Sequence, residues 1–321
     1  MSVKRIGVIT SGGDAPGMNA AVRSVVRTAI SMGLEVYGVI RGYNGLLEKD
    51  VFEMNARSVS EVIHRGGTIL YTARCLDFIN PEGQDKGAAN CRELGLDGLV
   101  VIGGDGSFRG AKALSERGIP CIGVPATIDN DISCSDYTIG FDTALNTAVE
   151  MIDRLRDTMQ SHDRCSVVEV MGRHAGHLAM NVGLATGATY ILVPEESYNI
   201  EKIVAKIKQG KENGKHHFII VCAEGVEGKE TLAQEIEART GVETKRTVLG
   251  HVQRGGSPTA RDRILASEMG YEAVQLLSKG IGNRVICYKN NDIIDMDIFA
   301  ALAMTKTIDR ERYKISGSIS I

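Results

Sequence analysis

Two short acidic segments each follow a hydrophobic run. Gly103-Gly104-Asp105-Gly106-Ser107 comes after Leu99-Val100-Val101-Ile102, and Thr127-Ile128-Asp129-Asn130-Asp131 after Cys121-Ile122-Gly123-Val124-Pro125. Glycines let a phosphate chain lie against backbone, a carboxylate such as Asp105 can hold a hard cation, and one such as Asp129 can take the proton of an attacking hydroxyl. Phosphoryl transfer needs those parts together. Each segment also has a duller reading: a tight glycine turn with Asp105 as a helix N-cap, and an Asx-turn at Asp129-Asn130. Two acidic strand ends in succession, the second with more polar residues than a turn requires, favour the chemical reading.

The elements that must position these residues alternate along the chain. Both apolar runs are rich in β-branched residues and read as buried parallel strands. A strand over 4–10 leads into a glycine-rich loop, Ser11–Gly17, and a helix over 20–32 with Asn19 as N-cap and Gly33 past its end. A strand follows at 36–40. The segment 42–90 gives no clear period; a short helix near 58–64 and a loop at Gly66-Gly67 are its only signals. A helix over 107–117 separates the two signature strands. Leu145, Val149, Ile152, Leu155 and Met159 give a long helix from Thr143 one apolar face. Strands at 166–170, 190–193, 217–222 and 247–249 then alternate with helices at 200–213 and 229–240, before a helix at 259–277 and a strand at 284–288. This predicts an α/β chain of two doubly wound, Rossmann-like domains with mostly parallel sheets and the active site between them, at the carboxyl ends of the strands.

Composition narrows the function classes. The 321 residues suffice for two domains, 43% are hydrophobic, and 37 Lys+Arg against 40 Asp+Glu leave a net charge of −3. Neither a basic run nor a basic-aromatic stretch points to nucleic acid. The seven cysteines are never closer than 13 positions, which excludes a CxxC pair, and their odd number disfavours a disulfide framework. No signal-peptide pattern opens the sequence and no apolar run approaches the ~18 residues of a membrane span. The expectation is a soluble, cytoplasmic protein that engages neither membrane nor nucleic acid.

Other motifs are partial. Gly12 and Gly17 have P-loop spacing, but Met18 and Asn19 stand where Lys and Ser/Thr are required, so a phosphate-cradling loop survives without its lysine. The dinucleotide pattern GxGxxG fails at Arg109. Arg74, Arg164, Arg173, Lys245, Arg246 and Arg254 supply cations at loops. Each alone reads as surface charge, although Arg173 and Arg254 gain weight from the glycines beside them. Arg23 and Arg27 share a helix face, most simply a solvent face. The glycine within His174-Ala175-Gly176-His177 argues against a metal pair, and Lys215-His216-His217 fits ordinary strand-entry polarity.

With these residues in view, the chain from Arg5 to about Leu302 closely resembles the bacterial ATP-dependent 6-phosphofructokinases. The resemblance rests on Thr10–Asn19, Ile102–Ser107, Thr127–Asp131, Glu169–Arg173 and Gly250–Pro258, five motifs in order. It implies a glycolytic, allosteric homotetramer that transfers the ATP γ-phosphoryl to O1 of fructose 6-phosphate. The implied domains are 1–138 plus 252–305 for the nucleotide and 139–251 plus 306–321 for the sugar phosphate. Gly13, Arg74, Cys75, Gly104, Asp105, Gly106 and Ser107 would hold ATP, with Asp105 on Mg²⁺. Thr127, Ile128, Asp129, Met171, Gly172, Arg173, Glu224, His251, Val252, Gln253 and Arg254 would surround the sugar phosphate, with Arg164 and Lys245 reaching it from a neighbouring subunit. Asp129, Thr127 and Arg173 are the implied catalytic residues, the last two on the transferring group. An effector site is implied at Arg23, Arg27, Arg156, Gly187, Thr189, Asn213, Lys215, His216 and His217.

Departures from the family pattern set further expectations. Lys245 stands where an Arg usually contacts the 6-phosphate, so either Lys245 or the neighbouring Arg246 takes that contact. Ala56, Thr189 and Asn213 replace an Arg, a Glu and a Lys at the effector site, which implies weakened regulation. Pyrophosphate-dependent relatives usually carry Asp at Gly106 and Lys at Ala126; their absence favours ATP. An NAD or lipid kinase sharing the GGDG loop lacks the later motifs, and a non-catalytic sugar-phosphate sensor would need an output module that the sequence does not contain.

Overall fold

The computed structural model describes residues 3–320; Met1, Ser2 and Ile321, outermost in the two expected domains, lie outside them. Two compact units form. One comprises 3–128, Ile132–Thr143 and Arg254–Lys306; the other comprises Asp129–Asp131, Ala144–Gln253 and 307–320. In chain order come β1 (Arg5–Ser11), α1 (Met18–Ser31), β2 (Glu35–Val39), α2 (Tyr43–Glu48), β3 (Val51–Met54), α3 (Pro81–Glu93), β4 (Gly98–Gly103), α4 (Asp105–Glu116) and β5 (Cys121–Pro125). Then follow α5 (Phe141–Gln160), β6 (Cys165–Val170), α6 (His177–Ala185), β7 (Tyr190–Leu192), α7 (Ile200–Glu212), β8 (Phe218–Ala223), α8 (Leu232–Thr240) and β9 (Thr244–Val248). The chain continues through α9 (Ala260–Ser278), β10 (Arg284–Lys289), β11 (Asp292–Asp297), α10 (Ile298–Ala303) and α11 (Arg310–Ile319).

In the first unit seven strands run in the order β11-β10-β5-β4-β1-β2-β3. The central pairs are parallel, while the two edge strands β3 and β11 are antiparallel. Leu99, Val100, Val101 and Ile102 are fully buried, as a strand covered on both faces requires. Helices α1 and α9 pack together over one face, and α3 and α10 flank α4 on the other. The strand order reverses between β1 and β4, so the loops after those two strands, with Ser11 opposite Gly103, meet at a switch point.

The second unit carries a four-stranded parallel sheet, β7-β8-β6-β9. Here β8 and β9 flank β6 on opposite sides, so the loops after β6, β8 and β9 share one end of the sheet.

Several local expectations are corrected. No helix forms at 58–64: the Asn55 side chain accepts from the amides of Arg57 and Ser58 at 2.8 and 3.2 Å, an alternative that competes with helical bonding. Asn19 does not cap α1, which starts one residue earlier after Gly17. Its amide instead donates to the carbonyls of Arg65 and Gly66 and accepts from Ile69 at 2.7 Å, fastening that loop to the helix. Helix α4 begins at Asp105 rather than Ser107, and β9 begins at Thr244 rather than Thr247, which puts Lys245 and Arg246 on a strand. The β10–β11 hairpin turns on Asn290 and Asn291, with φ of 53° and 64°, the left-handed pair a tight two-residue turn needs.

Asp262, fully buried near the start of α9, accepts from the amides of Gly140 and Thr143, both at 2.9 Å, and from the Thr143 hydroxyl. It thereby caps the first turn of α5. Burial pushes its carboxyl up to about 6, against the opposing pull of those three donors.

Candidate active site

The phosphate end of the first unit is built from the loops after β1 and β4. Gly104 is the N-cap of α4 and its carbonyl accepts from the amides of Ser107 and Phe108 at 3.0 and 3.1 Å, which leaves the Asp105 and Gly106 amides at the helix N-terminus without an intrahelical acceptor. The Ser107 hydroxyl is buried with no hydrogen-bond partner among the described residues. A Cβ on Gly103 would collide with it, and one on Gly12 would stand 3.3 Å away, so the hydroxyl sits where the two glycine loops meet. An orphaned buried hydroxyl beside open amides suits phosphate oxygens.

Neighbouring residues hold this cradle still. The Tyr43 hydroxyl donates to the Ser107 carbonyl at 2.6 Å, and its ring stacks on Phe78 at 4.2 Å. The Thr72 hydroxyl donates to the Gly12 carbonyl at 2.7 Å, which ties the segment bearing Arg74 and Cys75 to the β1 loop. Cys75 is half-buried, and burial raises its thiol above the usual range, which keeps it protonated. Arg254 lies over the same loop: a Cβ on Gly13 would be 2.8 Å from its guanidinium, which also stands 3.9 Å from Asp14. The family resemblance gives Arg254 to the sugar phosphate; within this unit it faces the glycine loop.

Asp105, with its side chain 45% exposed, accepts from Arg109 Nε at 2.8 Å. Among the described residues no three His, Cys, Asp or Glu side chains gather as a metal cage. One solvent-facing carboxylate beside a phosphate cradle nevertheless fits Mg²⁺, which keeps much of its water and shares its sites with substrate phosphates. Thr127 follows β5: the Ala126 amide donates to the Gly103 carbonyl, the Thr127 amide to Ile139, and the Thr138 hydroxyl to the Thr127 carbonyl at 2.7 Å. Its Cβ stands 3.8 Å from a Cβ placed on Gly104. Ile128 is buried behind it.

In the second unit, Asp129–Asp131 form a tight segment in which Asn130 is buried with φ of 51°. Met171-Gly172-Arg173 leaves β6, and Gly172 at φ 137° leaves no room for a side chain, since a Cβ would meet the Ala175 carbonyl at 2.5 Å. The Arg173 amide donates to Glu224 at 2.6 Å, joining the loops after β6 and β8 while the Arg173 side chain stays exposed. Gln253, fully buried, donates to the Gly250 carbonyl at 3.1 Å and accepts from the Met171 amide at 3.4 Å. That amide fixes the turn displaying His251 and Val252, both exposed.

The register of β6 and β9 separates Lys245 from Arg246. Arg246 turns to Glu169, donating from Nε at 3.1 Å and Nη2 at 2.6 Å. Lys245 lies on the other face, where it and Arg164 meet the same Glu243 carboxylate at 3.3 and 2.7 Å. Those two cations hold the Glu243 carboxyl below its usual range, Arg164 most strongly.

The residues expected to bind an effector are distributed over both units. In the first, Arg23 and Arg27 lie on α1; burial and then Arg27 lower the Arg23 guanidinium, and Arg27 lines a cavity of about 420 Å³ with Ala56 and Arg57. In the second, Arg156 donates to the carbonyl of Thr186, beside Gly187, and Thr189 is buried. Asn213 ends α7, and His216 faces Asp163 at 3.5 Å. Burial, then Arg156, Lys215 and His216, lower the His217 imidazole. Tyr43 and Arg109 contact the candidate site, at the Ser107 carbonyl and at Asp105, and the sequence does not single them out. Only the latter has a signal there, its four-residue spacing from Asp105.

The family described as Phosphofructokinase matches residues 5–277. An ATP-dependent 6-phosphofructokinase of Bacillus mycoides (strain KBAB4) is 56% identical over 319 residues, 99% of this chain and 100% of that protein. One from Bacillus thuringiensis (strain Al Hakam) is 55% identical with the same coverage. Phosphofructokinase from Saccharomyces cerevisiae superposes with a TM-score of 0.86 at 36% identity over 98% of this chain and 46% of its own, so this chain spans about half of the yeast one. A pyrophosphate-dependent phosphofructokinase from Marinobacter aquaeolei shares the fold at a TM-score of 0.88 and 22% identity, covering 98% of this chain and 88% of its own. The residues matched by the family take in the glycine loops at the β1/β4 switch point, the acidic segment after β5 and the linked loops of β6, β8 and β9, and the chain belongs to the phosphofructokinase family.

Proposed function

We propose that this chain is an ATP-dependent 6-phosphofructokinase, which transfers the γ-phosphoryl of ATP to O1 of fructose 6-phosphate and releases ADP and fructose 1,6-bisphosphate. The observation that carries the reading is the full-length identity with relatives of that name. The phosphate cradle around Ser107 supports it. Gly106 has open space where a Cβ would stand, and buried Ala126 brings no cation, which favours a nucleotide over pyrophosphate.

In this reading Gly13, Arg74, Cys75 and Gly104–Ser107 hold ATP, and Asp105 holds Mg²⁺. When bound, that ion would offset the negative charge developing on the phosphate oxygens. Asp129 accepts the O1 proton as the hydroxyl attacks, while Thr127 and Arg173 donate to the transferring group. Glu224 keeps the backbone of Arg173 in place, and Gln253 does the same for Met171 and the turn bearing His251. Lys245 with Arg164 reads the 6-phosphate from a neighbouring subunit of a homotetramer. Arg246 is occupied by Glu169.

A coupled assay with fructose 6-phosphate and either ATP or pyrophosphate tests the activity. Turnover with ATP alone is expected, and turnover with pyrophosphate alone overturns the donor assignment. Light scattering of the purified protein tests the tetramer, and a monomeric mass refutes it.

A further inference from the structure

Asp105 and Arg109 stand one helical turn apart at the start of α4, joined by one hydrogen bond from Nε at 2.8 Å. Both side chains face solvent, 45% and 70% exposed. The order of the pair, acid before base, suits the helix dipole, but a cation this close to a helix N-terminus works against the dipole. Among the described residues the two Nη groups of Arg109 have no hydrogen-bond acceptor, although a guanidinium can donate through both. The other exposed ion pair of this helix, Lys112 with Glu116, lies at its C-terminal end, away from the loops of the switch point. This pair occupies the carboxylate beside the orphaned Ser107 hydroxyl.

We infer that Arg109 is a positioning residue for the nucleotide: it holds Asp105 as a counter-ion until metal and nucleotide arrive together, and then turns its free Nη donors to the phosphate chain. The inference rests on the reading that Asp105 is the metal ligand. A neutral Asp105–Arg109 pair lets a polyanion approach the first turn of α4 without meeting a bare carboxylate. The metal must then displace Arg109 from Asp105. Exposed pairs of this kind are weak, so that competition costs only a few-fold in metal affinity. Phosphate oxygens make charge-assisted bonds with guanidinium, so the released Arg109 strengthens nucleotide binding by more than the metal loses.

The two effects have opposite signs, which separates this role from simple surface charge. Arg109→Gln should weaken binding of ADP in EDTA about three- to tenfold by calorimetry. The same variant should tighten Mn²⁺ on the ADP complex about two- to fivefold by electron paramagnetic resonance. Arg109→Lys should fall between, and all shifts should shrink at high salt. Asp105→Asn should abolish the Mn²⁺ site without weakening metal-free ADP. If Asp105→Asn keeps its Mn²⁺, the metal-ligand reading fails. If Asp105→Asn behaves as expected but Arg109→Gln changes neither affinity, or moves both in one direction, the role given to Arg109 is wrong. Thermal melting of each variant checks that the fold persists.

Discussion

Arg246 grips Glu169 from the neighbouring strand with two N–H groups, at 2.6 and 3.1 Å, and the Glu169 side chain is only 10% exposed. A guanidinium so engaged is not available to a substrate phosphate. Lys245, on the opposite face beside Arg164, is 66% exposed. Lys245→Ala should therefore raise KM for fructose 6-phosphate by about 10-fold or more with kcat nearly unchanged, since a charge-assisted bond contributes roughly 1.5–3 kcal/mol. Arg246→Ala should leave KM alone and lower stability by about 1–3 kcal/mol, because it strands a buried carboxylate. Steady-state kinetics and urea unfolding on both variants decide the matter. A KM effect confined to Arg246→Ala reverses the assignment.

The base role proposed for Asp129 makes a second prediction. Asp129 opens the short segment in which buried Asn130 adopts a left-handed conformation, a geometry that fixes the backbone on either side. Asp129→Ser should cut kcat by about 10²–10⁴-fold and leave KM for both substrates within a few-fold. A variant with near-normal kcat means that another group takes the O1 proton.

What can be read from the sequence follows from which forces are local. Strands β4 and β5 are legible because Leu99–Ile102 and Cys121–Pro125 are buried on both faces and so need no polar alternation. Among the described residues strand β9 pairs with β6 alone, and its first residues, Thr244-Lys245-Arg246, carry no hydrophobic signal. The partners of Lys245 and Arg246 depend on cross-strand register, which spacing along one chain cannot reveal. Asn19 reads as a cap for a similar reason: its true partners lie at 65–69, far along the chain. Helix α3 buries Gly87, Ala88, Asn90 and Cys91, residues too small or polar to show a period. Motif residues at the ends of apolar strands are legible because strand ends are fixed by composition.

Buried Asp262 gives a stability prediction with a definite sign. Its folded carboxyl titrates at about 6 against 3.8 when unfolded, so the folded state holds the proton more tightly. The stability from this group is therefore complete below pH 3.8 and is lost as pH rises through 6. The loss amounts to about 3 kcal/mol, because a tenfold difference in proton affinity between the two states is worth about 1.36 kcal/mol. Asp262→Asn removes the titration. Urea unfolding from pH 4 to pH 7.5 should show wild-type stability falling relative to the variant across that window. A constant difference between the two shows that the three donors keep the carboxyl near its ordinary value.

The last prediction concerns the cluster around His217. Burial and the nearby charges of Arg156, Lys215 and His216 lower its imidazole, so at neutral pH it is mostly uncharged. An anion seated among these groups would cancel their mutual repulsion and raise the imidazole again, so binding takes up a proton. Affinity for such an anion should then tighten as pH falls toward and below 6.5. Sulfate serves as the probe because it does not titrate in this range. Calorimetry in buffers of differing ionisation enthalpy should show proton uptake by the wild type and much less by His217→Gln. Effector control itself should be modest. Ala56 and Asn213 bring no cation, Thr189 is buried and brings no carboxylate, and each missing charge-assisted bond removes roughly 1.5–3 kcal/mol of possible discrimination between states. Fructose 6-phosphate saturation curves should thus shift only a few-fold with phosphoenolpyruvate or ADP. A strongly sigmoidal curve in phosphoenolpyruvate, relieved by micromolar ADP, would show that the remaining cations suffice for full regulation.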